Sequence, residues 1–164
     1  MFETLKEFSN IVVSGPQRSG TRIAAKIIAA DTGKTYVDEK YIDFHNLKML
    51  EYFLIHGNNV VQCPALCHLL HYIMTKNTLI IIVRRPIEEI IKSERRSWNE
   101  QAEKIELLKY GCTGGIISEI KYYFWDFIQK DILDERGREI HYHTLEQHPL
   151  FIKERQNFRW DQTE

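Results

Sequence analysis

The 164-residue sequence contains few cysteines and no long hydrophobic segment. Its three cysteines, Cys63, Cys67 and Cys112, are an odd number without the spacing of a disulfide framework, which indicates free thiols in a reducing compartment. The longest purely aliphatic run, Leu79–Val83, is far too short to cross a bilayer. The amino-terminal segment contains acidic residues and lacks the apolar stretch of a signal peptide. We therefore expect a cytoplasmic protein without membrane attachment.

A large excess of charge of either sign is also absent. The 22 Lys and Arg residues nearly balance the 23 Asp and Glu residues, for a net charge of −1. Bulk electrostatics therefore predicts neither nucleic acid nor an anionic membrane as a partner. The length fits a single domain over residues 1–164, which can bury about 68–70% of its unfolded surface in a core.

Short β-branched segments alternate with longer helical segments along the chain, a pattern typical of parallel sheets covered by helices. Five strands are predicted, at 11–14, 35–37, 60–62, 79–83 and 139–142. Helices are predicted at 20–30, at 45–55, from Pro64, from Pro86 and at 116–132. The expected fold is α/β, a three-layer sandwich around a mostly parallel five-stranded sheet, similar to that of P-loop NTPases. Ligands of such sheets bind beyond the carboxyl ends of the strands.

The first strand leads into a loop flanked by glycines, and the loop leads into a helix. Backbone N–H groups in such a loop and at the helix amino terminus bind anions. Gly15 and Gly20 have the spacing of the nucleotide P-loop, but Thr21 and Arg22 stand at the positions of its lysine and hydroxyl residue. Arg18 supplies a cation within the loop instead. The sequence therefore predicts an anion site formed by Gly15, Arg18, Ser19, Gly20, Thr21 and Arg22.

A second candidate anion segment follows the strand at 79–83. Arg84 and Arg85 end that strand, Pro86 begins a helix, and Ser93 follows about two turns later. An arginine in this position presents a planar fork of donors to a phosphate. The strand does not end in the aspartate that holds Mg²⁺ in P-loop NTPases, so no metal is expected. Cys63, Cys67 and His71 recur every four residues, but no fourth ligand is evident, so buried thiols are a better interpretation than a metal site.

Both segments resemble nucleotide-binding motifs of the sulfotransferases that use PAPS (3′-phosphoadenosine 5′-phosphosulfate). Gly-Pro-Gln-Arg-Ser-Gly-Thr is similar to their 5′-phosphosulfate loop, although Arg22 replaces a second threonine. The resemblance implies a sulfotransferase with PAPS as co-substrate and a small molecule or glycan as acceptor. It also implies that Arg18 takes part in catalysis and that Arg84, with Arg85 as the alternative, binds the 3′-phosphate together with Ser93.

Sulfuryl transfer often requires a base, which in this family is a glutamate or a histidine. Glu39, just past the second strand, is the first candidate for that role, and His68, just past the third strand, is the second. Asp43 and His45 are more distant options.

Two alternatives to a sulfotransferase remain open. One is a small-molecule or nucleotide kinase with an atypical P-loop, in which Asp38 and Glu39 supply the acid or base; the missing lysine argues against it. The other is a non-catalytic domain that binds a nucleotide or a phosphate. The short chain and Arg22 favour this second alternative.

Overall fold

A computed structural model describes residues 1–42, 47–73, 75, 77–97, 114–128 and 134–157. Its strands are β1 (Asn10–Ser14), β2 (Thr35–Val37), β3 (Asn59–Gln62), β4 (Thr78–Arg84) and β5 (Gly137–His141). They form one sheet in the order β2-β3-β1-β4-β5, and every pairing is parallel. The prediction of a mostly parallel five-stranded sheet is therefore confirmed.

The α-helices of the described residues are α1 (Thr21–Thr32), α2 (Leu47–His56), α3 (Ile87–Ser97), α4 (Ile116–Ile128) and α5 (Pro149–Asn157). Shorter 3-10 helices cover Glu3–Glu7, Glu39–Tyr41, Pro64–Tyr72, Asp134–Arg136 and Tyr142–Gln147. Within the described ranges, no helix combines the length and the apolarity that crossing a membrane requires.

Successive side chains of a strand point to opposite faces of the sheet, so both faces carry apolar side chains. Helices cover each of these faces. Ile11 and Val13 of β1 pack in one cluster with Ala24 and Ile28 of α1. Val12 belongs to the other cluster, together with side chains of α2, α3 and α4 and of the 3-10 helix Pro64–Tyr72. The central strands β1, β3 and β4 are buried on both faces, which explains the aliphatic sequence of β1 and β4, whereas the edge strands β2 and β5 are partly exposed. The predicted three-layer arrangement is thus confirmed.

The two predicted anion segments meet at the centre of this sheet. β1 and β4 are neighbours, yet the chain leaves β1 towards β2 on one side and leaves β4 towards β5 on the other. Ligands of open parallel sheets bind in the crevice that forms where connections diverge in this way. The loop after β1 and the residues that follow β4 flank that crevice.

The structure also decides the state of the described cysteines. Cys63 and Cys67 are free and buried, as the sequence predicts. Cys112 lies outside the described residues, as do Asp43 and His45.

Candidate functional site

The loop between β1 and α1 has an unusual backbone. Gly15, Arg18 and Gly20 all have positive φ angles, of 143°, 67° and 98°. Ser19 stabilises the turn from within, because its backbone N–H and its hydroxyl both donate to the carbonyl oxygen of Pro16, at 3.2 and 2.8 Å. No side chain caps the start of α1, so its first N–H groups are oriented for an anion.

Both glycines of the loop are required by close contacts as well as by φ. A Cβ atom on Gly20 would lie 2.4 and 2.6 Å from two ring carbons of Tyr142. A Cβ atom on Gly15 would lie 2.9 Å from the hydroxyl of Ser19 and 3.1 Å from the carbonyl oxygen of Val83. The spacing that suggests a P-loop is therefore enforced by the structure around it.

Arg18 is held from two directions. Its Nε donates to the Ser93 hydroxyl at 3.1 Å, and its carbonyl oxygen accepts a bond from Nη1 of Arg85 at 3.2 Å. The Arg85 guanidinium in turn stacks over the Tyr142 ring, at 4.0 Å from the centroid, and pairs with Glu89 at 2.9 Å. Burial, followed by repulsion from Arg85, lowers the pKa of Arg18.

These side chains border a pocket of about 310 Å³ at the carboxyl edge of the sheet. Basic side chains dominate its wall. The lining contains Arg18, Arg22, Lys26, Arg85, Arg96 and Arg155, against the acidic side chains of Glu39 and Glu154. A pocket with this balance of charge is suited to a polyvalent anion.

An acidic corner lies beside the loop. The backbone N–H of Glu39 donates to the Gln62 side chain at 3.2 Å, and the Gln62 amide donates to the Thr21 hydroxyl at 3.1 Å. Arg22 reaches one carboxylate oxygen of Glu39, at 3.4 Å from Nη2, while the other oxygen, Oε2, is buried with no hydrogen-bond partner among the described residues. Burial raises the pKa of Glu39.

The structure brings most of the predicted site residues together. Arg18, Gly20, Thr21, Arg22, Glu39, Arg85 and Ser93 all line the pocket, and Gly15 shapes its loop. Ser19 is fully buried inside the loop and bonds to Pro16 rather than pointing into the pocket. His68 is exposed on its 3-10 helix and lies outside the pocket lining.

The environment of Arg84 differs from the one that its predicted role in phosphate binding requires. Its guanidinium forms ion pairs with Asp126 and with Glu139, the latter at 2.8 Å, and lies 4.7 Å from the centroid of the Tyr122 ring. Arg85, the residue that follows β4, lines the pocket, and Arg84 does not. Of the two arginines, it is therefore Arg85, which the sequence ranks second, that lies in the pocket lining.

Sequence reasoning misses several residues of the site, and Gln62 and Tyr142 are two of them. Gln62 connects Thr21 to Glu39, and its signal was a buried polar residue at the carboxyl end of a strand. Tyr142 forms a wall of the pocket and supports Arg85, and its signal was an aromatic residue directly after the last strand. No group of three or more potential metal ligands occurs in the part of the chain that the structure describes.

Comparisons with known proteins bear on the fold. No protein-family model and no curated protein matches the chain. A shikimate kinase from Bacteroides thetaiotaomicron is similar in structure, with a TM-score of 0.56 and 11% identity over 92% of this chain and 95% of that chain. A shikimate kinase from Acinetobacter baumannii, solved with shikimate, has a TM-score of 0.57 and 12% identity over 85% and 87% of the two chains. This chain has their fold.

The comparison contradicts the sulfotransferase interpretation of the sequence. The two similar structures are shikimate kinases and not sulfotransferases, and a small-molecule kinase is the alternative that the sequence leaves open. No finding supports PAPS as co-substrate or a glycan as acceptor. The short motif was misleading because an arginine in a glycine-flanked loop suits any phosphate-like anion, whichever group is transferred.

Proposed function

We propose that this chain is a small-molecule kinase in which arginines replace the usual P-loop lysine. The observation that carries the proposal is the pocket itself, where an anion loop and basic side chains lie beside the partly buried carboxylate of Glu39. The kinase fold of the similar structures agrees with it. Phosphoryl transfer depends mainly on positioning and on stabilisation of charge, and the pocket has groups for both.

The loop and the start of α1 bind the terminal phosphates of a nucleoside triphosphate. Arg18 neutralises charge that develops on the transferred group, and Arg85 supports it. The hydrogen bond from Nε of Arg18 to Ser93 restricts the direction of the Arg18 guanidinium, and the bond from Arg85 holds the loop backbone at the Arg18 carbonyl oxygen. A guanidinium fixed in this way loses little conformational freedom when it binds a phosphate.

Glu39 acts on the acceptor. An acceptor hydroxyl attacks the terminal phosphorus, the bond from that phosphorus to the leaving diphosphate breaks, and the hydroxyl proton passes to the Glu39 carboxylate. A carboxylate with a raised pKa is a better proton acceptor near neutral pH than an exposed one. Gln62 orients Glu39 through its backbone N–H.

The residues present do not fit a dedicated Mg²⁺ site of the P-loop type. Arg22 stands where a hydroxyl residue would coordinate the ion, and Glu39, the acid beside the loop, is paired with Arg22. In this proposal the arginines therefore neutralise the phosphate charge.

A transfer assay tests the proposal. The protein is incubated with ATP and a panel of small hydroxylated acids and sugars, including shikimate, which the Acinetobacter relative binds. Parallel samples contain Mg²⁺ or a chelator. We expect acceptor-dependent release of ADP.

Glu39→Gln should reduce turnover about 100-fold or more, while the Kd for ATP stays within about twofold. Glu119→Gln, an exposed acid on α4, is the matched control and should leave both unchanged. Unaltered turnover in Glu39→Gln would exclude this role.

A domain that binds phosphates without catalysis is the second candidate. Thr21 and Arg22 favour it, because they occupy the positions of two residues that P-loop enzymes use in transfer. Tight ATP binding without turnover on any acceptor, with or without Mg²⁺, would support this candidate instead.

A further inference from the structure

A row of basic side chains leads away from the loop along α1. Arg18, Arg22 and Lys26 follow one another at four-residue intervals, and all three line the pocket. Arg22 and Lys26 are one helical turn apart, which places their Cβ atoms about 6 Å from each other. Lys26 pairs with Glu154 at 2.8 Å, and Arg155 of α5 also lines this end of the pocket. One terminal phosphate held at the loop does not need so long a row.

The Tyr142 ring in the same wall is already engaged. The Arg85 guanidinium covers one face at 4.0 Å, and Phe151 meets the ring nearly edge-on with centroids 5.6 Å apart. Phe151 itself is only 5% exposed. This aromatic pair thus holds an arginine in place instead of offering a surface on which a base can stack.

From these two observations we infer that the pocket recognises a linear chain of phosphates and not the base attached to it. The chain begins at the loop and continues past Arg22 to Lys26. Inorganic tripolyphosphate is then a ligand in its own right, and nucleoside triphosphates with different bases bind alike. The inference rests on the proposed function, because it specifies what the same pocket selects in a phosphate donor.

Calorimetric titration of the full chain in a chelator tests the ligand class. The probes are orthophosphate, tripolyphosphate, ATP and GTP. We expect the Kd values of tripolyphosphate, ATP and GTP to agree within about threefold, and orthophosphate to bind at least about tenfold more weakly because it meets the loop alone.

Lys26→Met tests the row. The variant should weaken tripolyphosphate and ATP by about tenfold and leave orthophosphate unchanged, because only the longer anions reach position 26. Lys26→Arg should retain most of the affinity. Lys153→Met removes the same charge from an exposed position of α5 outside the pocket and should change nothing. Thermal unfolding of each variant reports any loss of fold separately.

The possible outcomes separate the inference from the proposed function. If ATP binds more than tenfold tighter than GTP and tripolyphosphate, the base is recognised and the inference is wrong, while the kinase proposal stands. If Lys26→Met leaves tripolyphosphate affinity unchanged, the row is not used and the inference is also wrong. If none of the four probes binds, the proposed function fails together with it.

Discussion

At the scale of single residues, the adjacent carboxylates Asp38 and Glu39 receive opposite pKa shifts. Burial raises the pKa of Glu39, and the ion pair with Arg22 offsets this only in part. Burial acts on Asp38 in the same direction, but hydrogen bonds from the Lys40 backbone and the Tyr36 hydroxyl, together with Arg22, outweigh it and hold the pKa of Asp38 below its usual value. The pair thus combines a carboxylate that stabilises the fold with one whose ionisation costs stability.

We therefore predict that Glu39→Gln and Asp38→Asn shift stability in opposite directions at pH 7. The raised pKa means that Glu39 stabilises the fold below its unfolded value of 4.5, and that this contribution is lost as the pH rises through the folded pKa. Glu39→Gln should thus be more stable than the wild type at pH 7 and equal to it near pH 4. Asp38 contributes above its unfolded value of 3.8 and loses the contribution as the pH falls through the folded pKa, so Asp38→Asn should be less stable at pH 7.

Urea unfolding followed by tryptophan fluorescence measures these differences, since Trp125 is fully buried. Each variant is compared with the wild type at every pH, so that the titration of other carboxylates cancels. A loss of stability in Glu39→Gln at pH 7 would show that its contacts outweigh its burial.

Some residues of the site can be predicted from the sequence alone, and others cannot. The glycine spacing and Arg18 predict the anion loop, because those features are local. The choice between Arg84 and Arg85 is not local: it depends on Glu139 of β5 and on Asp126 of α4, which come from distant parts of the chain to pair with Arg84. The link from Gln62 to Thr21 also joins residues that only the folded sheet brings together.

At the scale of the elements, the 3-10 helix Tyr142–Gln147 carries the side chain that packs against the loop between β1 and α1. It follows β5 directly, and its first residue places the Tyr142 ring where a Cβ atom of Gly20 would be. The same ring supports Arg85, which connects the loop to the residues after β4. Loop, strand end and 3-10 helix therefore pack as one unit.

That packing predicts a strong coupling between positions 20 and 142. Gly20→Ala should destabilise the protein by at least about 2 kcal/mol, because the new methyl group meets the ring and because φ is positive. Tyr142→Ala is destabilising by itself, but it removes the clash. The double variant should therefore be more stable than the sum of the two losses predicts, by about 1 kcal/mol or more. Chemical unfolding of all four proteins gives the coupling, and Tyr142→Phe, which keeps the ring, should restore the clash. Additive losses would contradict the prediction.

The sequence predicts the positions of β1 and β4 closely, but it does not predict the type of helix that follows Pro64. Aliphatic β-branched runs identify β1 and β4 to within about a residue, because strands buried on both faces need that composition. After Pro64 the apolar spacing predicts a helix, and the structure has a 3-10 helix over Pro64–Tyr72. Apolar residues three and four positions apart suit either helix, so packing against β1 and α4 decides between them.

At the scale of the whole molecule, several arginines lie close together at the point where the connections between the strands diverge. Arg18 is partly buried and is repelled by Arg85, Arg22 and Arg96. Its φ of 67° adds a cost of roughly 1–2 kcal/mol for a residue other than glycine. A polyanion bound as proposed above would offset the repulsion among these arginines, whereas the backbone cost at Arg18 would remain.

We predict that the stability order of wild type and Arg18→Gly reverses when a polyanion is added. Without phosphate and at low salt, Arg18→Gly should be the more stable protein, because glycine adopts positive φ freely and one repelling charge is gone. The greater freedom of its unfolded chain and the lost hydrogen bond to Ser93 offset part of this gain. With tripolyphosphate at 100 times its Kd, the wild type should gain about 2.7 kcal/mol, a rise in Tm of roughly 5–10 °C, and become the more stable protein. Differential scanning calorimetry in both buffers measures the four Tm values.

Asn58→Gly is the matched control, because Asn58 also has a positive φ, of 57°, but lies outside the pocket lining. The response of this variant to tripolyphosphate should equal that of the wild type. An equal response in Arg18→Gly would mean that Arg18 does not contact the anion, and a lower Tm of this variant without phosphate would mean that Arg18 stabilises the empty loop.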